Sequence, residues 1–229
     1  MPDQNRIAAK RAAAISAVEE VEDGMIVGLG TGSTAALAIE ALAVRVARGL
    51  RIAGIPTSET SAALAREMNV PLTSFAQHRH IDLTIDGADQ VARGTLDLIK
   101  GLGGALLREK IVASASRRMI VIVDETKMVD CLGDLTKLPI EIVQFGYETV
   151  IERLTSIGCA PQLRMAENGP FITDGGNYIA DCAVGLIHDA ARMQAKLAGI
   201  VGVVESGLFV GLASKIIVGT DRGVEVFER

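Results

Sequence analysis

The passage from residue 25 to 46 limits the possible folds more than any other. An apolar run over 25–29 leads into Gly28-Leu29-Gly30-Thr31-Gly32-Ser33-Thr34, and helical periodicity resumes at once over 35–46. A short continuous apolar run is how a strand buried on both faces reads, because helices cover each side of a parallel sheet. Glycines at the turn let backbone approach a ligand, and the helix start presents N–H groups that attract an anion. The alternation continues. Apolar runs at 51–55, 81–85, 96–99 and 119–123 are interspersed with helical patterns at 58–69 and 105–117, and an amphipathic helix over 4–22 opens the chain. Strands alternating with helices imply an α/β protein with a parallel sheet.

The glycine turn keeps two readings open. Ser33 stands where a dinucleotide fingerprint has its last glycine, and the strand at 51–55 has no acid at its end. No lysine follows the glycines as in a P-loop, so neither nucleotide motif holds. What remains is a hydroxyl-rich turn, Thr31, Gly32, Ser33 and Thr34, sized for one small phosphate. The plainer reading is a tight connection with Ser33 or Thr34 as an N-cap.

Further along, the strand at 81–85 ends in Asp86-Gly87-Ala88-Asp89, two carboxylates where ligands bind in open α/β sheets, although Asp-Gly is also a common turn. Paired acids near a lysine suit the movement of protons between hydroxyls. Lys100 then closes an apolar strand, Gly101-Leu102-Gly103-Gly104 makes a turn, and Glu109 lies on the second turn of the helix that follows. Lysine and glutamate would thus face one small polar substrate. A glutamate between Arg108 and Lys110 is equally the pattern of a solvated helix face. Lys127 falls at the carboxyl end of the strand at 119–123.

Other classes of function fit poorly. A net charge of -5 and a pI near 5.3 argue against a nucleic-acid surface, as do an aromatic content of 3% and the absence of tryptophan. Cys131, Cys159 and Cys182 form no CxxC pair and read as buried small hydrophobes in a reducing compartment. His78 and His80 are two apart, but no partner recurs at ligand spacing and only His188 stands elsewhere, so no metal site is expected and these read as solvated loop residues. No apolar run reaches the ~18 residues of a membrane span and the first residues lack a signal-peptide core, which points to a cytoplasmic protein.

Composition shifts after residue 130. Short strand-like runs at 139–145, 162–165, 178–184 and 201–204, with helices at 147–157 and 188–197 and a hairpin turn at 175–177, suggest a small α+β domain. Runs at 215–218 and 224–227 return to the first domain. The expected division is 1–132 with 206–229, and 133–205.

Gly30-Thr31-Gly32-Ser33-Thr34-Ala35, Asp86-Gly87-Ala88-Asp89, Lys100-Gly101-x-Gly103 with Arg108-Glu109-Lys110, and Lys127 together resemble the type A ribose-5-phosphate isomerases, in the same order. The likeness extends to Thr57-Ser58 and Gly207-Leu208-Phe209 and covers essentially the whole chain. It implies a Rossmann-like open, mostly parallel sheet with helices on both faces, plus a ferredoxin-like small domain that helps build a homodimer or homotetramer. It implies a metal-free and cofactor-free aldose–ketose isomerase acting on a sugar phosphate, with neither nucleic acid nor membrane as partner. By the same likeness Glu109 is the general base, Asp86 and Asp89 assist ring opening and proton movement, and Lys100 stabilises the oxyanion. Thr31, Gly32, Ser33, Thr34, Gly87, Ala88, Gly101, Leu102, Gly103, Lys127 and Lys10 are implied substrate contacts. The sequence departs from the family pattern at Leu102, where many members have glycine, and at Leu107, which replaces a polar residue. The link over 90–99 is one residue longer, and 210–215 lacks a polar run. A sugar-phosphate-sensing regulatory domain of the same fold is the alternative, although no helix-turn-helix precedes the first strand. An acyl-CoA transferase-like enzyme would want a nucleophilic glutamate before a strand and a longer chain.

Overall fold

The computed structural model describes residues 3–134 and 136–229; residues 1, 2 and 135, which fall within the expected domains, lie outside it. In chain order the elements are α1 (Asp3–Glu19), β1 (Ile26–Leu29), α2 (Ser33–Ala47), β2 (Ala53–Pro56), α3 (Glu59–Glu67) and β3 (Ile81–Asp86). Next come β4 (Gln90–Ala92), β5 (Leu98–Ile99), α4 (Leu106–Ser114), β6 (Ser116–Asp124), a 3-10 turn (Glu125–Lys127) and β7 (Met128–Val129). Then follow β8 (Leu138–Ile142), α5 (Tyr147–Ser156), β9 (Ala160–Leu163), β10 (Met165–Ala166), β11 (Gly169–Pro170) and β12 (Tyr178–Ala183). The last are α6 (Ala190–Ala198), β13 (Val203–Ser206), β14 (Leu208–Phe209), β15 (Lys215–Thr220) and β16 (Gly223–Glu228). They divide into two compact units: Met1–Ala88 with Glu109–Met128 and Leu212–Arg229, and Asp89–Arg108 with Val129–Gly211.

The first unit is built on a six-stranded sheet in the order β16-β15-β6-β3-β1-β2. Every neighbouring pair is parallel except the edge pair β15–β16. Alternation along the strands sends Val27, Leu29, Leu83, Ile85, Ile120, Ile122 and Ile217 to one face, where Ala13, Ala17 and Val18 of α1 and Ile39 and Leu42 of α2 cover them. Ile55 packs with Val112 of α4 on the other face, in a cluster that Ile81 joins from the start of β3. Both faces are therefore buried, which is why these strands read as unbroken apolar runs. Helix α1 lies directly on β15: a Cβ at Gly219 would come 1.9 Å from the Ala9 carbonyl oxygen.

In the second unit, β13-β8-β12-β9 form an antiparallel sheet. Counted along the chain this is the 4-1-3-2 order of a ferredoxin-like βαββαβ unit. Its core joins Leu138, Ile140, Ile142 and Ala180 of the sheet to Val150 and Leu154 of α5 and Leu197 of α6. A smaller sheet runs β14-β5-β4-β7. Because β5 pairs with both β4 and β14, residues 89–108 group with this unit and not with the preceding stretch of chain.

Several element ends differ from the sequence expectation. The helix expected at 105–117 stops at Ser114, and Arg117 and Arg118 are exposed residues at the start of β6. The helix expected from residue 188 begins at Ala190, because Asp189 is its N-cap and accepts the N–H of Arg192 at 2.9 Å.

Candidate active site

In the first unit, β1 lies between β2 and β3, so the chain leaves β1 to one side and returns on the other. The carboxyl ends of β1 and β3 thus flank a topological switch point, the place where open α/β sheets hold ligands. Asp86 ends β3 there, fully buried, and its Oδ1 accepts the N–H groups of Thr31 at 3.0 Å and Gly87 at 2.7 Å. Gly30 makes this approach possible, since a Cβ on it would lie 2.2 Å from that same oxygen.

The N-cap reading of Ser33 or Thr34 is corrected. The cap is Gly32, at φ 100 and with no side-chain bond, and Ser33 is already the first residue of α2. Ser33 Oγ instead accepts a hydrogen bond from Lys10 Nζ at 3.1 Å, and the same ammonium lies 3.8 Å from Asp124 Oδ2. Thr34 flanks Gly87, at which a Cβ would stand 3.9 Å from that of Thr34. Thr31 differs from its neighbours, because its hydroxyl meets those of Thr57 at 2.7 Å, Ser58 at 2.8 Å and Ser61 at 3.1 Å. Its side chain is therefore an anchor, and its N–H is the one held by Asp86. Lys127 is half-buried on the 3-10 turn that Asp124 caps through the N–H of Thr126. Ser61 and Asp124 were not singled out from sequence. The only signals for them are the Ser58-x-x-Ser61 spacing at a helix start and an acid closing an apolar run.

Glu109 lies on the first turn of α4, not the second, and is 4% exposed, so the solvated-face reading is corrected as well. One turn later Val112 sits over Gly28, where a Cβ would fall 2.6 Å from Val112 Cγ1. The helix end is tied down by Ser116 Oγ, which donates to the Val112 carbonyl and meets Thr84 Oγ1, both at 2.7 Å. A carboxylate on a first helical turn is also favoured by the helix dipole.

In the second unit, Lys100 is 2% exposed; its N–H donates to the Gly207 carbonyl at 2.8 Å and its ammonium lies 5.5 Å from the centroid of the Phe209 ring. Gly101 and Gly104 take positive φ, 107 and 83, and Gly104 N–H closes the turn onto Gly101 O at 3.0 Å. Leu102 has negative φ and a largely exposed side chain, so leucine in place of glycine strains nothing there. Its N–H donates to Asp89 Oδ2 at 2.9 Å. Each of the two acids is thus held by its own backbone donors.

His78 and His80 are exposed, and among the described residues no three His, Cys, Asp or Glu side chains group closely enough to hold a metal ion. All three cysteines are free thiols. Cys159 and Cys182 are buried, and the hydrogen bond with Cys159, then burial, push the Cys182 thiol up and keep it protonated. Cys131 departs from expectation: it is half-buried, 3.8 Å from His188 Nδ1. Among the described residues no helix is long and apolar enough to cross a membrane.

Residues 53–223 match the model of the family described as ribose 5-phosphate isomerase A (phosphoriboisomerase A). The chain is 55% identical, over 217 residues, to the ribose-5-phosphate isomerase A of Gloeobacter violaceus, an alignment covering 95% of this chain and 94% of that one. A solved D-ribose-5-phosphate isomerase in complex with phospho-erythronic acid superposes with a TM-score of 0.94 at 42% identity, covering 97% and 98% of the two chains. The enzyme from Methanocaldococcus jannaschii superposes with a TM-score of 0.93 at 40% identity, covering 97% and 99%.

Proposed function

This chain belongs to the ribose 5-phosphate isomerase A family, and we propose on that premise that Glu109 is the base of an enediolate isomerisation interconverting D-ribose 5-phosphate and D-ribulose 5-phosphate. Glu109 takes the proton from C2 and returns it to C1. Asp86 and Asp89 open the sugar ring and move the hydroxyl proton between O1 and O2. Lys100 stabilises the oxyanion that develops as the carbon acid is deprotonated, commonly the largest electrostatic contribution to such a step. The N–H groups of Gly32, Ser33 and Thr34 take the phosphate beside Thr31, with Lys10 and Lys127 supplying positive charge. Gly87, Ala88, Gly101, Leu102 and Gly103 contact the substrate through their backbones. The reaction relocates two hydrogens within one molecule, so no electron acceptor enters its balance. The same likeness supports a homodimer or homotetramer working in the cytoplasm, in the non-oxidative pentose phosphate pathway.

The observation that carries this reading is burial of charge. Asp86, Lys100 and Glu109 are 0%, 2% and 4% exposed, and Asp, Lys and Glu are seldom buried so fully, so a chain that keeps all three from solvent supports a chemical task for them. A sugar-phosphate sensor needs binding but no buried base, and the relatives are named as isomerases, so the regulatory alternative is not favoured. In a coupled assay for ribulose 5-phosphate, purified protein should be active and Glu109→Gln should lose at least ~100-fold in kcat while still binding substrate. Turnover near that of the wild type in the variant would remove Glu109 from the mechanism.

A further inference from the structure

We infer that Arg164, a residue far along the chain from every motif above, is the positioning residue of the Gly101–Gly104 turn; its catalytic consequence rests on the isomerase reading just given. The side chain is a two-ended clamp. One end pairs with Asp181, Nε to Oδ2 at 2.8 Å and Nη2 to Oδ1 at 2.5 Å. At the other end Nη1 donates to the carbonyl oxygens of both Gly101 and Leu102, each at 3.1 Å. The backbone of Arg164 is fixed too: its N–H donates to Ile179 O at 2.8 Å and its carbonyl accepts the N–H of Phe171 at 2.9 Å. Phe171 completes the seat. Its ring lies 5.8 Å from the guanidinium and presses on Gly104, where a Cβ would be 2.5 Å from the ring edge.

The geometry of the peptide unit says what this clamp does. In a trans peptide the C=O and N–H point in opposite directions. Drawing the carbonyls of Gly101 and Leu102 to one guanidinium therefore turns the N–H groups of Leu102 and Gly103 the other way. The first of these holds Asp89 Oδ2. Arg164 thus presets two consecutive donors and, through one of them, the carboxylate assigned to hydroxyl proton transfer. A side chain only 14% exposed, paired with an Asp181 only 18% exposed, keeps that arrangement screened from water. Lysine cannot reproduce it, because a single ammonium lacks the planar fork that spans Asp181 and two carbonyls.

The test combines steady-state kinetics with amide hydrogen exchange read by NMR on Arg164→Met, Arg164→Lys and Asp181→Asn. Because a misplacement of about 1 Å can cost up to ~100-fold, Arg164→Met should lower kcat by roughly 10- to 100-fold with KM within about threefold. Exchange at the Leu102 and Gly104 amides, which donate to Asp89 Oδ2 and Gly101 O, should rise at least ~10-fold, since the turn opens more readily. Arg164→Lys should recover part of kcat, and Asp181→Asn should shift both readouts in the same direction by less. A folded Arg164→Met with kcat within twofold of wild type, with unchanged exchange in the turn, or with the whole effect in KM overturns the inference. Should Arg164→Met fail to fold, Asp181→Asn decides by the same criteria. Wild-type protein without isomerase activity would defeat the functional reading, while exchange in the turn would still decide what Arg164 holds.

Discussion

Lys10 is drawn toward two groups at once. Its ammonium hydrogen-bonds Ser33 Oγ and lies 3.8 Å from Asp124 Oδ2, the oxygen that Asp124 does not use to cap the 3-10 turn. Asp124 keeps the cation at the rim formed by the carboxyl ends of β1, β3 and β6, and Ser33 marks the direction a phosphate would come from. A charge-assisted hydrogen bond contributes about 1.5–3 kcal/mol, so Lys10→Met should raise KM for ribose 5-phosphate by roughly 10-fold or more. Uniform binding leaves the chemical step alone, and kcat should stay within about twofold. Steady-state kinetics would check both, and an unchanged KM would take Lys10 out of phosphate binding. At this scale residue type was legible and residue orientation was not. Lysine, aspartate and glutamate at strand ends and a helix start announce Lys100, Asp86 and Glu109. Nothing local tells that the Thr31 hydroxyl turns inward, because its partners are the hydroxyls of Thr57, Ser58 and Ser61 on another element. Arg164 was invisible for the same reason, since the carbonyls it holds lie some sixty positions earlier.

Helix α4 brings Glu109 to its place only because the sheet beneath it is bare at one point. Gly28 lies under Val112, and a Cβ there would come 2.0 Å from Thr84 Oγ1 and 2.6 Å from Val112 Cγ1. Both neighbours are buried and linked through Ser116, so neither can step aside. Over-packing of this kind costs about 1–3 kcal/mol. Gly28→Ala should therefore lower the melting temperature by several degrees and lift α4 from the sheet, reducing kcat at least ~10-fold through displacement of Glu109. Calorimetry and kinetics on one preparation would check this, and full turnover with an unchanged melting temperature would show that α4 does not need a bare strand. Elements of the first unit were readable because strands covered on both faces leave apolar runs and the helices between them keep their own period. The sheet β14-β5-β4-β7 was not. Its strands are two or three residues long, too short for any period, and they exist because distant segments hydrogen-bond to them. The three-residue β4 is anchored by the buried Gln90, whose Oε1 accepts the N–H of Gly133 at 2.8 Å.

Taken whole, the chain closes on itself within the first unit, where the beginning and the end of the sequence meet at one lysine. Helix α1 rests on β15 at Gly219. Just past α1, Glu20 Oε1 lies 2.6 Å from Lys215 Nζ, whose other partner is Glu228 Oε1 at 2.7 Å on the last strand. Arg118 of β6 holds the second oxygen of Glu20 at 3.0 Å. Hydrogen bonds to Glu20 and then Glu228 raise the Lys215 ammonium above its usual 10.5, and the hydrogen bond from Lys215 lowers the Glu228 carboxyl below its usual 4.5. The two shifts have opposite consequences for stability. A lowered carboxylate contributes stability above its unfolded value and loses it as pH falls through the folded one. A raised ammonium contributes below its unfolded value and loses it as pH rises through the folded one. The stability gap between wild type and Lys215→Met should accordingly form a plateau from about pH 5 to 10 and narrow on either side of it. Glu228 is well exposed, so salt screens the pair and the gap should stay within a few degrees of melting temperature and shrink in high salt. Thermal unfolding of the two proteins across that pH range, at low and high ionic strength, checks the shape. A gap that stays unchanged below pH 4 would mean that the closure rests on the packing of the Lys215 stem and not on its charge.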